Sequence, residues 1–240
     1  MKFYTTPPKD VNYDYMLINP KTYKRLKYKP FKHAIADCGV LIFHDEAIKE
    51  YPYYFLPKWK YYARFLSDMY GVDRIWCTIP DYPDDYNPGQ FGDNVEMTLK
   101  NVENFITTER VNWVISLQSR FLDIDSFEHG CQVVKERYGD YPRLAIGTVC
   151  KTNNLKFIKD CCTMARDYFP HSKLHAFGMT LTAYSHVYGI IDSWDSMAWT
   201  FPRVSGRGSA KNKVEREQFF YQYLDRIKKL QNIYTKRRQT

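Results

Sequence analysis

From about residue 33 onward, short apolar runs rich in β-branched and aromatic residues alternate with stretches in which apolar residues recur every three or four positions. That alternation is the pattern of parallel strands joined by helices. The strand-like runs are 34–43, 74–79, 113–117, 144–149, 174–179 and 190–199, and Tyr15–Ile18 offers a further strand near the N-terminus. Between them, Trp59, Tyr62, Ala63 and Leu66 share one helical face, as do Val95, Leu99, Val102 and Ile106 behind Asp93, which is placed to cap that helix with Glu96 closing the box. Phe127, Cys131, Val134 and Tyr138 form the next face, ended by Gly139, and Leu155, Ile158, Cys162 and Ala165 another. A last helix over about 212–237 sets Phe220, Leu224, Ile227 and Leu230 against a basic side bearing Arg216, Arg226, Lys228 and Lys229. Six clear strands with one or two more from the N-terminal segment predict a compact α/β (β/α)8 TIM-like barrel in one domain, residues 1–240, with its core at about 33–208. An open doubly wound sheet is the alternative. No glycine-rich phosphate loop follows any strand, which argues against a nucleotide-cofactor domain.

Charge and composition add a partner class. The chain carries a formal charge of +8 and 21 tyrosines among 240 residues, a balance suited to a polyanion whose bases can stack on aromatic rings. Cysteines 38, 77, 131, 150, 161 and 162 show no C-x-x-C spacing and read as reduced, mostly buried thiols, with Cys161 on the core side of its helix and Cys162 on the flank, or the reverse. No metal site is expected of them. No apolar run approaches about 18 residues, so a membrane partner is not expected and a cytoplasmic protein is.

The candidate chemistry gathers where the strand-like runs end. Asp37 stands before Cys38-Gly39, and Asp81 closes Ile-Pro-Asp ahead of the polar loop 82–89. Gln118 ends the run 114–117, Gly147 follows Leu144-Ala-Ile, and His175-Ala-Phe177-Gly178 ends another. Finally Asp192-Ser-Trp-Asp195-Ser-Met-Ala-Trp places two carboxylates three residues apart in an apolar segment. Acids at the tips of successive barrel strands are how that fold assembles an active site, and buried carboxylates are costly unless they have partners or work.

In its order, this succession resembles the queuine/archaeosine tRNA-guanine transglycosylase superfamily, over about residues 33–208. Trp194-Asp195-Ser196 looks like the family's nucleophile motif, Pro202-Arg203 like the sequence trailing it, and Asp37-Cys38-Gly39-Val40 like its Asp-Ser-Gly-Gly. His175-Ala-Phe-Gly-Met-Thr-Leu with the segment 192–199 is closer to the short viral and plasmid branch that acts on DNA, the DpdA-type deazapurine transglycosylases. The zinc site of three cysteines and a histidine found in the tRNA enzymes has no counterpart, since no cysteine lies beyond 162 and no histidine beyond 186. The aromatic expected near the first motif is replaced by Leu41 or displaced to Phe43.

The resemblance implies DNA-guanine transglycosylation without a cofactor, in which guanine is exchanged for a free 7-deazaguanine base such as preQ0. Asp195 would be the nucleophile and Asp37 the general acid and base. Asp81, Gln118, Gly147, His175, Phe177 and Gly178 would form the base pocket. Asp192 is the reserve nucleophile, or instead orients Arg203 or a strand end. Arg203, Arg207 and Lys211 are candidate phosphate contacts, a solvated basic loop being the other reading, and a homodimer or a helper protein is compatible with the pattern. The alternatives are the same exchange on tRNA, a barrel N-glycoside hydrolase and a non-catalytic nucleic-acid-binding protein.

Overall fold

The computed structural model describes residues 1–150, 152–200 and 212–237. Eight parallel strands form one nearly closed barrel: β1 (Lys2–Tyr4), β2 (Tyr15–Ile18), β3 (His33–Ala36), β4 (Ile75–Thr78), β5 (Asn112–Leu117), β6 (Arg143–Ile146), β7 (Lys173–Ala176) and β8 (Ser193–Asp195). From β2 to β8 each strand pairs with the next in sequence, and β1 pairs with β8 in the register Lys2 to Ser193 and Tyr4 to Asp195. Thr5 draws the remaining seam together: its amide donates to the Tyr15 carbonyl (3.3 Å) and its carbonyl accepts from the Leu17 amide (2.9 Å). The barrel therefore begins at residue 2 rather than near 33. The N-terminal segment supplies two of the eight strands: Tyr15–Ile18 is the strand expected there, and only the three-residue Lys2–Tyr4 shows no β-period of its own.

Helices α1 (Phe55–Tyr70), α2 (Asn94–Ile106), α3 (Ile124–Tyr138), α4 (Leu155–Tyr168) and α5 (Leu181–Val187) occupy successive crossovers from β3 onward, and α6 (Lys213–Arg237) follows β8. Two crossovers carry no α-helix: β1 runs directly to β2, and β2 reaches β3 through a 3-10 helix at Tyr23–Tyr28. The C-terminal helix covers part of that gap. Phe220 packs edge-on against Tyr13 and Trp199, Tyr223 meets Phe3, and Gln231 donates to the Met1 carbonyl.

Alternation decides which side chains serve the core. Met16, Ile18, Ala36, Cys77, Ile115, Leu117, Leu144 and Trp194 belong to one apolar layer under the helices. Tyr4, Ile35, Val114 and Ala145, interleaved with them, are buried but lie outside that layer and turn toward the barrel axis. The axis also takes polar groups. The Tyr4 hydroxyl lies 2.9 Å from His33 Nδ1, and burial pushes the His33 imidazole down to about 4.

Most of the expected runs pass the true strand ends, and two of them do so furthest. The run 34–43 breaks after Ala36, because Gly39 adopts φ +86° and turns the chain into a 3-10 helix at Val40–His44. The run 190–199 contains only three strand residues and closes in a 3-10 turn at Ala198–Thr200. Asp93 caps α2 through the Glu96 amide, but the Glu96 carboxylate lies 3.3 Å from His129 Nε2. Cys161 and Cys162 are both fully buried, since α4 packs against α3 on one side and α5 on the other. None of the six cysteines forms a disulfide. Among the described residues no helix is long and apolar enough to cross a membrane.

Asp192 sits directly before β8, at the opposite end of that strand from Asp195. Its carboxylate accepts from Arg166 Nη2 (2.8 Å), Lys173 Nζ (3.2 Å) and the Leu174 amide (3.0 Å). It fastens the N-terminal rim of the barrel, so the reserve-nucleophile reading is corrected, and the strand end it orients is held through Arg166 and Lys173. Asp192→Ala should lower unfolding stability by about 1–3 kcal/mol in urea titrations, since it leaves a half-buried guanidinium short of its partner. Any activity per folded molecule should stay unchanged.

Candidate active site

At the other rim, the C-terminal ends of the strands surround a pocket of about 520 Å³, open solvent at its mouth included. β2 contributes Leu17, and the residues just past β3, β4, β5, β6 and β7 contribute Asp37, Asp81, Gln118, Gly147, Phe177 and Gly178, while β8 ends in Asp195. Asp85 and Tyr86 from the loop after β4 complete a lining that holds four carboxylates and no lysine, arginine or histidine among the described residues.

Asp195 is buried and held through one oxygen. Its Oδ1 lies 3.1 Å from His175 Nε2 and accepts from the Gly178 amide at 3.1 Å. His175 is oriented in turn by Ser193 Oγ, 2.9 Å from Nδ1. Ser193 stands two residues before Asp195 and therefore on the same face of β8. Asp195 Oδ2 has no hydrogen-bond partner among the described residues. A carboxylate with one oxygen held by two contacts and the other without a partner among the described residues can serve chemically as a nucleophile, an acceptor or a base.

Asp37 owes its place to the turn that ends β3. Its amide donates to the Ile18 carbonyl, and its Oδ1 accepts from the Gly39 amide at 3.0 Å. Burial pushes this carboxyl up to about 6, with the charge of Asp195 adding to the rise and the Gly39 amide opposing it. Asp81 lies deeper and burial pushes it up to about 7; the Gln118 amide on its Oδ2 holds it down, and the charge of Asp37 raises it. Two acids tuned to the neutral range in one pocket mark a site built for proton transfer or for donor-rich ligands.

Gln118 lies flat across Gly147 and spends its Nε2 on Asp81, which leaves its buried Oε1 without a partner. A Cβ at Gly147 would fall 2.2 Å from Gln118 Nε2, so glycine is what admits the amide. The Gly147 amide itself donates to the Leu117 carbonyl within the sheet. Gly147 thus supplies space rather than a free donor; Gly178 lines the pocket and gives its amide to Asp195, and His175 serves Asp195 from outside the lining. Phe177 lines the pocket with its ring 4.9 Å from that of His175. Phe43 does not reach the pocket: it is fully buried against Tyr51, Tyr82 and Phe91, and Leu41 points to solvent. Arg203, Arg207 and Lys211 lie outside the described residues.

Sequence reading missed the supports beneath these groups. Thr78 Oγ1 accepts from the Cys38 amide, Trp59 Nε1 donates to the Thr78 carbonyl, and the Tyr51 hydroxyl donates to the Asp81 carbonyl. The loop 82–89 is a stapled wall. Asp84 is buried and accepts from the amides of Gly89 (2.9 Å) and Phe121 (2.8 Å), while Asn94 donates to the Tyr82 and Ser119 carbonyls. The only sequence signal for this was the density of Asp and Asn in a segment flanked by aromatics. Among the described residues no cluster of His, Cys, Asp and Glu could hold a metal ion. Comparison with known families finds no family model that matches the chain, and comparison with curated proteins finds no match.

Both tuned carboxyls titrate above the unfolded chain's value. The folded protein therefore binds more protons between about pH 4 and 7 and loses stability as pH rises through that window. Asp81→Asn should raise stability at pH 8 by about 2–4 kcal/mol and leave it nearly unchanged at pH 4, as read from urea midpoints at the two pH values. Gly147→Ala should keep the fold, since the end of Gln118 can swing aside. It should also release Asp81 from its amide partner and so raise its folded-state pKa, so that the stability of this variant goes on falling to a higher pH than that of the parent protein.

Proposed function

We propose that the chain is a base-exchange transglycosylase that replaces guanine in DNA with a 7-deazaguanine such as preQ0. The observation that carries this reading is Asp195, fixed through Oδ1 and open at Oδ2, facing the same pocket as a carboxyl tuned to about 6 and the Asp81–Gln118 pair. In the first half-reaction Asp195 Oδ2 bonds to C1′ of the target nucleotide as the N-glycosidic bond breaks, and protonated Asp37 gives its proton to the departing base. In the second, Asp37 as carboxylate takes the proton from the incoming base, whose nitrogen attacks C1′ and frees Asp195. Ionised Asp81 accepts from the ring N–H and exocyclic amine of either purine. The unpartnered Gln118 Oε1 offers one more acceptor to the same donor-rich edge, and Phe177 covers the ring.

A guanine inside a duplex cannot reach such a pocket, so the target is an unstacked nucleotide. The +8 charge suits a polyanion.

Incubation with labelled preQ0 should place label in guanine-containing DNA and not in tRNA. Asp195→Ala should abolish it, and Asp37→Asn should slow it about 10²–10⁴-fold. Because the reaction needs Asp37 protonated and Asp81 ionised, kcat/KM should peak between about pH 6 and 7 and fall on both sides, the acid limb disappearing in Asp81→Asn. Label in tRNA alone would move the substrate to RNA. Release of guanine without uptake of label would make the protein an N-glycoside hydrolase.

A further inference from the structure

Two exposed features beside the pocket take no part in the chemistry above. The first is the segment that leaves β2. Between Asn19 and Lys29 it carries five cations, Lys21, Lys24, Arg25, Lys27 and Lys29, and no acid. It starts at the pocket, since Leu17 lines the wall and Pro20 lies against Gly39, two residues from Asp37. Lys21 and Lys24 are exposed, while Arg25 and Lys29 are tied to the carbonyls of Pro7, Pro8 and Val11 and brace the segment.

The second feature is the outer face of α1. Tyr54, Lys58, Tyr61, Phe65 and Met69 recur at helical spacing and all point away from the core, with Tyr61 74% and Tyr54 57% exposed; Tyr53 beside them is 92% exposed. The two features touch: Tyr23 of the basic segment packs edge-on against Tyr62 of α1 at 4.7 Å, and Tyr62 stacks on Phe65. At its upper end the stripe meets the site, because Phe55 stacks on Tyr51, whose hydroxyl holds the Asp81 carbonyl.

Exposed rings beside the exposed Lys21 and Lys24 fit one partner chemistry. Lysines take phosphates, while flat rings of any sequence preference take unpaired bases, a combination that a duplex with its bases stacked inside cannot satisfy. A second copy of this chain would bring the same positive charge to the same face. We propose that the basic segment 19–29 and the outward tyrosines at the start of α1 form a track for single-stranded DNA that delivers an unpaired nucleotide to the pocket. This rests on the DNA-exchange reading for its choice of DNA, but the binding it describes needs no chemistry.

The test is fluorescence anisotropy of the full chain with a labelled oligothymidine of roughly 20 nucleotides, which contains no guanine, and with a hairpin duplex of equal charge. The oligothymidine should bind at least about tenfold more tightly. Lys21→Ala with Lys24→Ala should weaken binding and reduce the slope of log K against log salt by about 1.4, or 0.7 for each lost phosphate contact. Tyr54→Ala with Tyr61→Ala should weaken binding about tenfold at unchanged salt slope. All four positions are exposed, and thermal melts that match the parent protein would show the folds intact.

Equal affinity for hairpin and single strand, or variants that bind as the parent does, would overturn the track. So would a dimer in sedimentation that Tyr54→Ala with Tyr61→Ala dissociates, since the stripe would then belong to a second copy. Binding as described with no exchange of base would leave the track standing and sink the exchange reading alone.

Discussion

The site depends on holding several carboxylates around one pocket without a cation among the described residues to neutralise them. In a low-dielectric cavity such groups repel and lose hydration, and the protein meets the cost in two ways. Asp37 and Asp81 move into the neutral range and carry protons part of the time. Asp195 is held by the Gly178 amide and, through His175, by Ser193. Exposed cations, Lys21 and Lys24 among them, lie on the surface segment beside the pocket rather than in its lining, so an acidic mouth adjoins a basic flank.

The barrel makes this arrangement possible because its stability is secured elsewhere. The layer between strands and helices, from Met16 and Ile18 round to Trp194, is continuous and apolar. Polar fasteners such as Asp192 with Arg166 and Lys173 work at the N-terminal rim. Strand ends on the opposite rim are thereby free to carry groups that do not favour folding, which is the usual division of labour in this architecture. Gly147 and Gly39 show the same economy at the level of single residues: one leaves room for a side-chain amide, the other turns the backbone so that Asp37 meets a backbone donor.

Much of this was legible in the chain. The alternation of apolar runs with helical faces yields the barrel, and the acids at the run ends, Asp37, Asp81 and Asp195, are those that the fold brings to one pocket. What could not be read is long-range. The strand Lys2–Tyr4 is three residues long and declares itself only by pairing with β8. Asp192 and Asp195 look alike in sequence, three residues apart, yet a short strand separates them to opposite ends. His175 looked like a pocket residue, and only its distances reveal that it serves Asp195. Thr78, Tyr51 and Asp84 carry no motif at all and are recognisable only once the loops they staple are in place.

The claim that joins these parts is that Asp195 is a nucleophile that carries the sugar between two bases. Mixing the protein with guanine-containing single-stranded DNA without an incoming base, quenching in denaturant and measuring intact mass tests it most directly. The account predicts a species heavier by the DNA strand less one guanine, mapped by digestion to Asp195, absent from Asp195→Ala and discharged by adding a 7-deazaguanine. Exchange of base that proceeds with Asp195→Ala, or an adduct mapped to another residue, would contradict it.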